Sequence, residues 1–120
     1  MIKIVPESKK NVLIAKAEGK LTNRDYTEIL IPRLEFIINN YGKARLLLDM
    51  GDQFQGWQAS ALWDDTRFGL THKNSFEKMG VIGGPIWIDW GMKIISLMIS
   101  GEIKSFPIKD RQKAMDWIVT

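Results

Sequence analysis

A continuous apolar run near the middle of the chain reads Arg45-Leu46-Leu47-Leu48-Asp49-Met50. It follows shortly after a helical pattern, and its leucines occupy consecutive positions. A strand with one face in water alternates apolar and polar residues, whereas a strand covered on both faces reads as an unbroken apolar run. The run therefore predicts the central strand of a sheet that is covered on both sides.

The remaining predicted strands are short β-branched or apolar runs bounded by glycine, proline or polar residues. They cover residues 2–5, 12–17, 78–82 and 102–106. The first two are separated by a polar segment with one proline, which is typical of a hairpin loop, so we expect them to pair antiparallel. Residues 51–56 are expected to form a loop after the central strand.

Four helices are predicted from apolar side chains that recur at three- and four-residue spacing. They cover about residues 22–40, 59–70, 87–99 and 110–119. Thr22 and Asp25 have the spacing of a capping pair at the start of the first helix. Pro32 should bend this helix or mark a local start, and Gly42 supplies a left-handed terminator.

The order of the predicted elements is β-β-α-β-α-β-α-β-α. Strands that alternate with helices need crossover connections and therefore pair in parallel. We expect an α/β fold with a mixed, mostly parallel sheet of about five strands and about four helices. No linker or internal repeat is visible, so residues 1–120 are predicted to form a single domain.

Composition and charge argue against several classes of protein. The hydrophobic share of 45% and the charged share of 26% are ordinary for a globular chain, which disfavours intrinsic disorder. The absence of cysteine removes disulfides and thiolate zinc sites and fits a cytoplasmic location. Basic and acidic residues are interleaved, so no nucleic-acid binding is expected. The most apolar stretch, residues 94–99, is far shorter than the roughly 20 residues that span a bilayer.

Asp49 and Asp52 lie at the carboxyl end of the predicted central strand, where open α/β sheets commonly place ligands. Paired carboxylates could bind a cation or exchange protons, but Gln53 and its neighbours supply neither a nucleophile nor a base. A solvated loop that caps the strand is the simpler interpretation.

His72 follows Asp65 by seven residues on one predicted helix. Two donors do not make a metal site, so we expect no metal and interpret His72 as a helix-end residue.

Tryptophan is unusually frequent, with five in the chain. In the predicted third helix, Trp87, Trp90 and Ile94 lie on one apolar stripe, and a second apolar stripe runs beside it. One neighbouring element cannot cover both stripes. The helix is therefore either wedged between the sheet and other helices, or it forms a dimer face, an apolar ligand pocket or a shallow membrane contact. Trp57, just after the predicted loop, is a further candidate for binding.

Motifs spread over almost the whole chain resemble those of one family. They are Leu46-Leu47-Leu48-Asp49, Gly56-Trp57, Ala61-Leu62-Trp63-Asp64-Asp65, Phe68-Gly69, His72, Gly80-Val81-Ile82-Gly83, Trp87, Trp90, Phe106 and Ala114-Met115-Asp116-Trp117-Ile118. With them the chain resembles the SpoIIAA-like family of STAS-related domains. The resemblance implies a compact α/β domain, a fold that is also compared with the lipid-carrying Sec14 fold.

The resemblance also implies a function. In the anti-sigma-factor antagonists that give the family its name, a serine in an Asp-Ser-Ser-Gly turn after the central strand is phosphorylated and switches partner binding. Here the corresponding region reads Phe54-Gln55-Gly56-Trp57-Gln58. We therefore expect a non-catalytic protein-interaction or regulatory module without the phosphoswitch and without a cofactor, which binds a protein partner or forms a homodimer. The alternative is a carrier or sensor of an apolar or lipid ligand, and a small enzyme is a third.

Overall fold

Seven strands, two α-helices, a π-helix (Asp25–Leu30) and a short 3-10 helix (Ile108–Asp110) make up the regular structure in the part of the chain that the computed structural model describes. That part comprises residues 1–6, 8–51, 54–57, 67–68, 71–84, 93, 96 and 99–120. The strands are β1 (Ile2–Ile4), β2 (Val12–Ala17), β3 (Gly19–Leu21), β4 (Ala44–Asp49), β5 (Phe54–Trp57), β6 (Phe76–Ile82) and β7 (Glu102–Phe106). The helices are α1 (Ile31–Tyr41) and α2 (Arg111–Val119).

Five of the strands form one mixed sheet in the order β1-β2-β4-β6-β7. The first pair is antiparallel, with Ile2 opposite Ala17, which confirms the predicted hairpin pairing. The other three pairs are parallel, as the alternation of strands and helices predicted. Strand β4 is third of five, so the leucine run does form the central strand.

Strand β4 is covered on both faces because successive side chains of a strand point to opposite sides. Leu46 and Leu48 belong to the larger apolar cluster, which also contains Leu34 of α1. Leu47 points to the other face and packs in a second cluster with Ile118 of α2. Both α-helices therefore cover the central strand, one from each side.

A second, two-stranded sheet was not predicted. Strand β3 pairs in parallel with β5, with Leu21 opposite Trp57, and the register shifts between Gly19 and Lys20. The expectation that residues 51–56 form only a loop is therefore wrong from Phe54 onward. Leu21 is completely buried, and the pairing gives partners to backbone groups that would otherwise be buried unpaired.

The predicted capping pair opens the first helical segment. Asp25 Oδ2 accepts hydrogen bonds from the Thr22 backbone N–H at 2.8 Å and from the Thr22 hydroxyl at 3.0 Å. The segment begins with a π-helix, Asp25–Leu30, that the sequence did not indicate. In this wide turn the Ile31 N–H donates to the carbonyl of Tyr26, five residues back.

Helix α1 itself begins next to a proline and ends at a glycine. Pro32 is the second residue of α1 and directly follows the π-helix, so it lies where the helical bonding changes from the π to the α pattern. Gly42 has φ of +80°, and its N–H donates to Ile38 O at 2.8 Å. The glycine terminator is confirmed, since residues that carry a side chain rarely adopt that conformation.

The described residues contain two α-helices, not four. The first and last predicted helices are confirmed, although the first is partly π-helical. Most of residues 59–70 and 87–99, the predicted second and third helices, lies outside the described residues. The described residues in these two ranges include four with helical backbone: Arg67, Phe68, Lys93 and Ser96. None of the described helices is long and apolar enough to cross a membrane.

Candidate functional site

Asp49 ends the central strand and is bound by the first residue of α2. Arg111 donates from Nε to Oδ2 at 2.8 Å and from Nη2 to Oδ1 at 3.1 Å. The Gly51 backbone N–H also donates to Oδ1, at 3.0 Å. Two parallel bonds of this kind fix the planar guanidinium against the carboxylate. Asp49 therefore joins β4 to α2, and its side chain is only 13% exposed.

This arrangement limits the chemistry available to Asp49. A general base must have a free acceptor site within hydrogen-bond reach of the substrate proton, and three of the roughly four acceptor sites of this carboxylate are already used by Arg111 and Gly51. Within the described residues, no group of three or more carboxylate or imidazole side chains could hold a metal ion. The interpretation of Asp49 as a structural cap agrees with these contacts, although the capping partner is Arg111.

The structure describes only part of the predicted binding residues. Trp57 is the last residue of β5, and its backbone pairs with β3. The other residues predicted for binding lie outside the described residues: Asp52, Gln53, Trp87, Trp90 and Ile94. Asp65, the proposed companion of His72, lies outside as well. A single site that joins Asp49 and Trp57 stays a prediction.

A cleft of about 260 Å³ lies between the first helical segment and the chain around His72. One wall consists of residues at four-residue intervals along the π-helix and α1, and the other wall consists of residues just before β6. The lining residues are Thr27, Ile31, Glu35, Arg67, Phe68, Thr71 and His72. The described residues therefore form a concave surface that combines polar, charged and aromatic side chains.

Helical hydrogen bonds hold the second wall together. The Thr71 hydroxyl donates to the Arg67 carbonyl at 2.9 Å, and the His72 backbone N–H donates to the Phe68 carbonyl at 3.0 Å. Residues four apart on a helix lie on the same side, so this bonding aligns Arg67 with Thr71 and Phe68 with His72. His72 is at the end of this turn, in agreement with its interpretation as a helix-end residue.

Aromatic contacts fix the orientation of the wall. The Phe68 ring centroid lies 4.4 Å from that of His72, with an angle of 39° between the ring planes. Its other neighbour is Phe76, edge to face at 6.3 Å. Phe76 is in the core of the sheet, with 1% of its surface exposed. The chain therefore holds both rings of the cleft against a buried anchor.

Sequence reasoning singled out His72 in this cleft but missed the other lining residues. The available signal was the spacing of Thr27, Ile31 and Glu35, which places one hydroxyl, one apolar and one acidic side chain in a row. Their partners on the other wall are more than 30 residues away in the chain. No local pattern in the sequence joins the two sets.

Comparison with known proteins shows which family the chain belongs to. The sequence pattern of the SpoIIAA-like family matches residues 12–119. The chain belongs to the SpoIIAA-like family. A similar solved structure comes from Shewanella loihica PV-4, and is described as an uncharacterized protein from the DUF3478 family with a SpoIIAA-like fold. It is 32% identical, has a TM-score of 0.72, and the match covers 98% of this chain and 93% of that one. No curated protein matches the sequence.

Within the SpoIIAA-like fold, the region that the resemblance relates to the switch serine has a defined place here. Phe54-Gln55-Gly56-Trp57 forms β5, whose backbone pairs with β3. None of these four residues carries a hydroxyl group. The described part of this region therefore offers no side chain for phosphorylation.

Proposed function

We propose that this chain is a non-catalytic protein-interaction or regulatory module of the SpoIIAA-like type. Family membership supports the general class. The contacts of Asp49 support the absence of catalysis at the carboxyl end of the central strand, because Arg111 and Gly51 already use its oxygens. The proposed interaction is carried by one observation on α1.

That observation is an aromatic ring on the outward side of the helix. Phe36 is 60% exposed, while Leu34 and Ile37 of the same helix are buried in the core. Arg33 and Asn40 lie three residues before it and four after it, and both are exposed. Aromatic residues and arginine are enriched in the centres of protein interfaces. We call the surface formed by Arg33, Phe36 and Asn40 the outer face of α1.

A second copy of the chain is the partner that this face fits best. Two α1 helices that cross antiparallel at Phe36 bring Arg33 of each copy near Asn40 of the other, which gives a symmetric contact. The Asn40 Nδ2 already donates to the Phe36 carbonyl at 2.7 Å. In the proposed dimer its Oδ1 accepts from the Arg33 guanidinium of the other copy, since an amide oxygen complements the donors of arginine.

The contact area sets the strength of the association. Helix α1 has 11 residues, which corresponds to a length of about 16 Å. A contact built mainly on one such helix falls below the roughly 1,200 Å² of standard interfaces. We therefore expect a weak dimer whose population depends on protein concentration.

Sedimentation velocity over a concentration series tests this proposal. The matched control is Val119 of α2, which is also 60% exposed but lies on a different helix. We expect the sedimentation coefficient of the wild type and of Val119→Asp to rise with concentration, and that of Phe36→Asp to stay at the monomer value. A wild type that remains monomeric at millimolar concentration contradicts the proposal, as does a Phe36→Asp variant that dimerises normally.

The apolar-ligand alternative receives no support from the described cleft. Its volume of about 260 Å³ is small, and Glu35 and Arg67 place charges on its walls. An acyl chain would leave these charges without new partners while it covers them. The predicted helix 87–99, on which that alternative depends, lies mostly outside the described residues. It stays a prediction that native mass spectrometry of the gently purified protein would test.

A further inference from the structure

The cleft carries charges of opposite sign on its two walls. Glu35 lies on the α1 wall, and Arg67 lies on the opposite wall with His72. Among the described residues, neither the Glu35 carboxylate nor the Arg67 guanidinium takes part in an ion pair. Both charged groups are therefore available to a ligand that itself carries both signs, since complementary charge fixes which ligand binds and in which orientation.

The threonine hydroxyls add hydrogen-bond acceptors. Thr27 Oγ1 donates to the Asn23 carbonyl at 3.1 Å, and Thr71 Oγ1 donates to the Arg67 carbonyl at 2.9 Å. A hydroxyl has one proton and two lone pairs, so each oxygen can only accept from a ligand. The α1 wall thus combines an acceptor hydroxyl with the Glu35 carboxylate. Such a wall suits an ammonium group, which has three donors and no acceptor.

The middle of the cleft is apolar. Ile31 and Phe68 supply the apolar surface, and both are half-buried. Contacts with His72 and Phe76 already hold the Phe68 ring. A ring that is ordered before binding loses little further freedom when a ligand packs on it. The volume of about 260 Å³ lies just below the roughly 300–1,000 Å³ of sites for larger ligands.

The backbone gives an independent indication of function. Thr27 belongs to the π-helix Asp25–Leu30, and Ile31 closes that turn by its bond to Tyr26. The π-helical turns of proteins are rare and occur frequently at functional sites, because they disturb regular helical bonding. Here the irregular turn supplies Thr27 to one wall of the cleft and leads directly into Ile31.

We propose that the cleft binds a small zwitterion of the α-amino-acid class with an apolar or aromatic side chain. Arg67 binds the ligand carboxylate through two parallel hydrogen bonds, with His72 beside it. Glu35 and Thr27 accept from the ammonium group, and the side chain packs on Phe68. The inference goes beyond self-association and does not depend on it, because the outer face of α1 lies on another side of the helix.

Calorimetric titration and amide NMR spectra with three compounds test the assignment. L-Phenylalanine carries both charges, phenylpropanoate lacks the ammonium group, and phenethylamine lacks the carboxylate. We expect saturable binding of L-phenylalanine and affinities at least about tenfold weaker for the other two, which corresponds to about 1.4 kcal/mol. The largest amide shifts should fall on Ile31 and Phe68.

Two variants assign the charges to the walls. Glu35→Gln should weaken the binding of L-phenylalanine about tenfold. It should leave the affinity for phenylpropanoate unchanged, because that compound has no ammonium group. Arg67→Gln should weaken the binding of L-phenylalanine and of phenylpropanoate, and it should leave the affinity for phenethylamine unchanged. The controls are Glu102→Gln and Arg24→Gln, which remove exposed charges outside the cleft and should not alter binding. All four positions are exposed, so circular dichroism should show unchanged folding.

Three results would overturn the inference: no binding of L-phenylalanine at millimolar concentration, equal binding of all three compounds, or Glu35→Gln and Arg67→Gln variants that bind like the controls. The Phe36→Asp variant separates this inference from the proposed dimer. It should remain monomeric and still bind L-phenylalanine. Ligand binding without any dimer would contradict only the proposed self-association.

Discussion

The ion pair between Asp49 and Arg111 should contribute more to stability than an ordinary surface pair. Exposed pairs contribute about 0.2–1 kcal/mol, whereas hydrogen bonds to charged groups contribute about 1.5–3 kcal/mol. Asp49 is 13% exposed and Arg111 45%, and two bonds join them. We therefore expect a coupling energy of about 1–2 kcal/mol, and a melting temperature about 3–8 °C lower for Asp49→Asn.

A double-mutant cycle measures this coupling by urea unfolding of Asp49→Asn, Arg111→Gln and the double variant. Asparagine keeps an oxygen for the Gly51 N–H, so the cycle isolates the contact with arginine. The control cycle uses Arg24→Gln and Glu28→Gln, an ion pair whose side chains are 80% and 58% exposed. Its coupling should be about 0.3 kcal/mol. A coupling for Asp49 and Arg111 no larger than this would refute a structural role for the pair.

Three further substitutions test other parts of the fold. Gly80→Ala should lower the free energy of unfolding by about 1–3 kcal/mol in urea, because a Cβ there would lie 2.8 Å from Trp117 Cζ3. Gly42→Ala meets no atom within 4 Å but requires φ of +80°, so thermal unfolding should show a loss of about 1 kcal/mol from backbone strain alone. The hydrogen bond from Arg45 lowers the pKa of the Glu77 carboxyl from its ordinary value of 4.5. The resulting gain in the free energy of unfolding is fully present above the ordinary pKa, where the carboxylate is ionised in both the folded and the unfolded chain. Glu77→Gln should therefore cost about 0.5 kcal/mol near pH 7, and urea titrations should show the difference disappear as the pH falls through the lowered pKa.

Those elements of the fold that have a strong local signal could be predicted from the sequence. The leucine run predicted a central strand because both of its faces meet apolar clusters. Gly42 predicted a helix end because only glycine adopts that conformation without strain. Strand β5 could not be predicted, since Phe54–Trp57 is short, contains a glycine and pairs with a segment more than 30 residues earlier.

The role of Asp49 could be predicted only in part for a similar reason. Its position at the carboxyl end of the central strand is visible in the leucine run. Its partner, Arg111, is 62 residues further on and lies in a segment where basic residues look like an ordinary solvated helix face. The π-helix is equally invisible, because Tyr26 and Leu30 are spaced as they would be in an α-helix.

Both proposals depend on the rotation of α1 about its own axis. Leu34 and Ile37 are 2% and 4% exposed, and burial of both fixes that rotation. With it fixed, Glu35 lines the cleft and Phe36 points outward on the next side of the helix. A rotation by one residue, about 100°, would bury the phenylalanine and remove the carboxylate from the cleft. A ligand that binds monomer and dimer equally would leave self-association unchanged, so any effect of L-phenylalanine on dimerisation would measure a coupling through this helix.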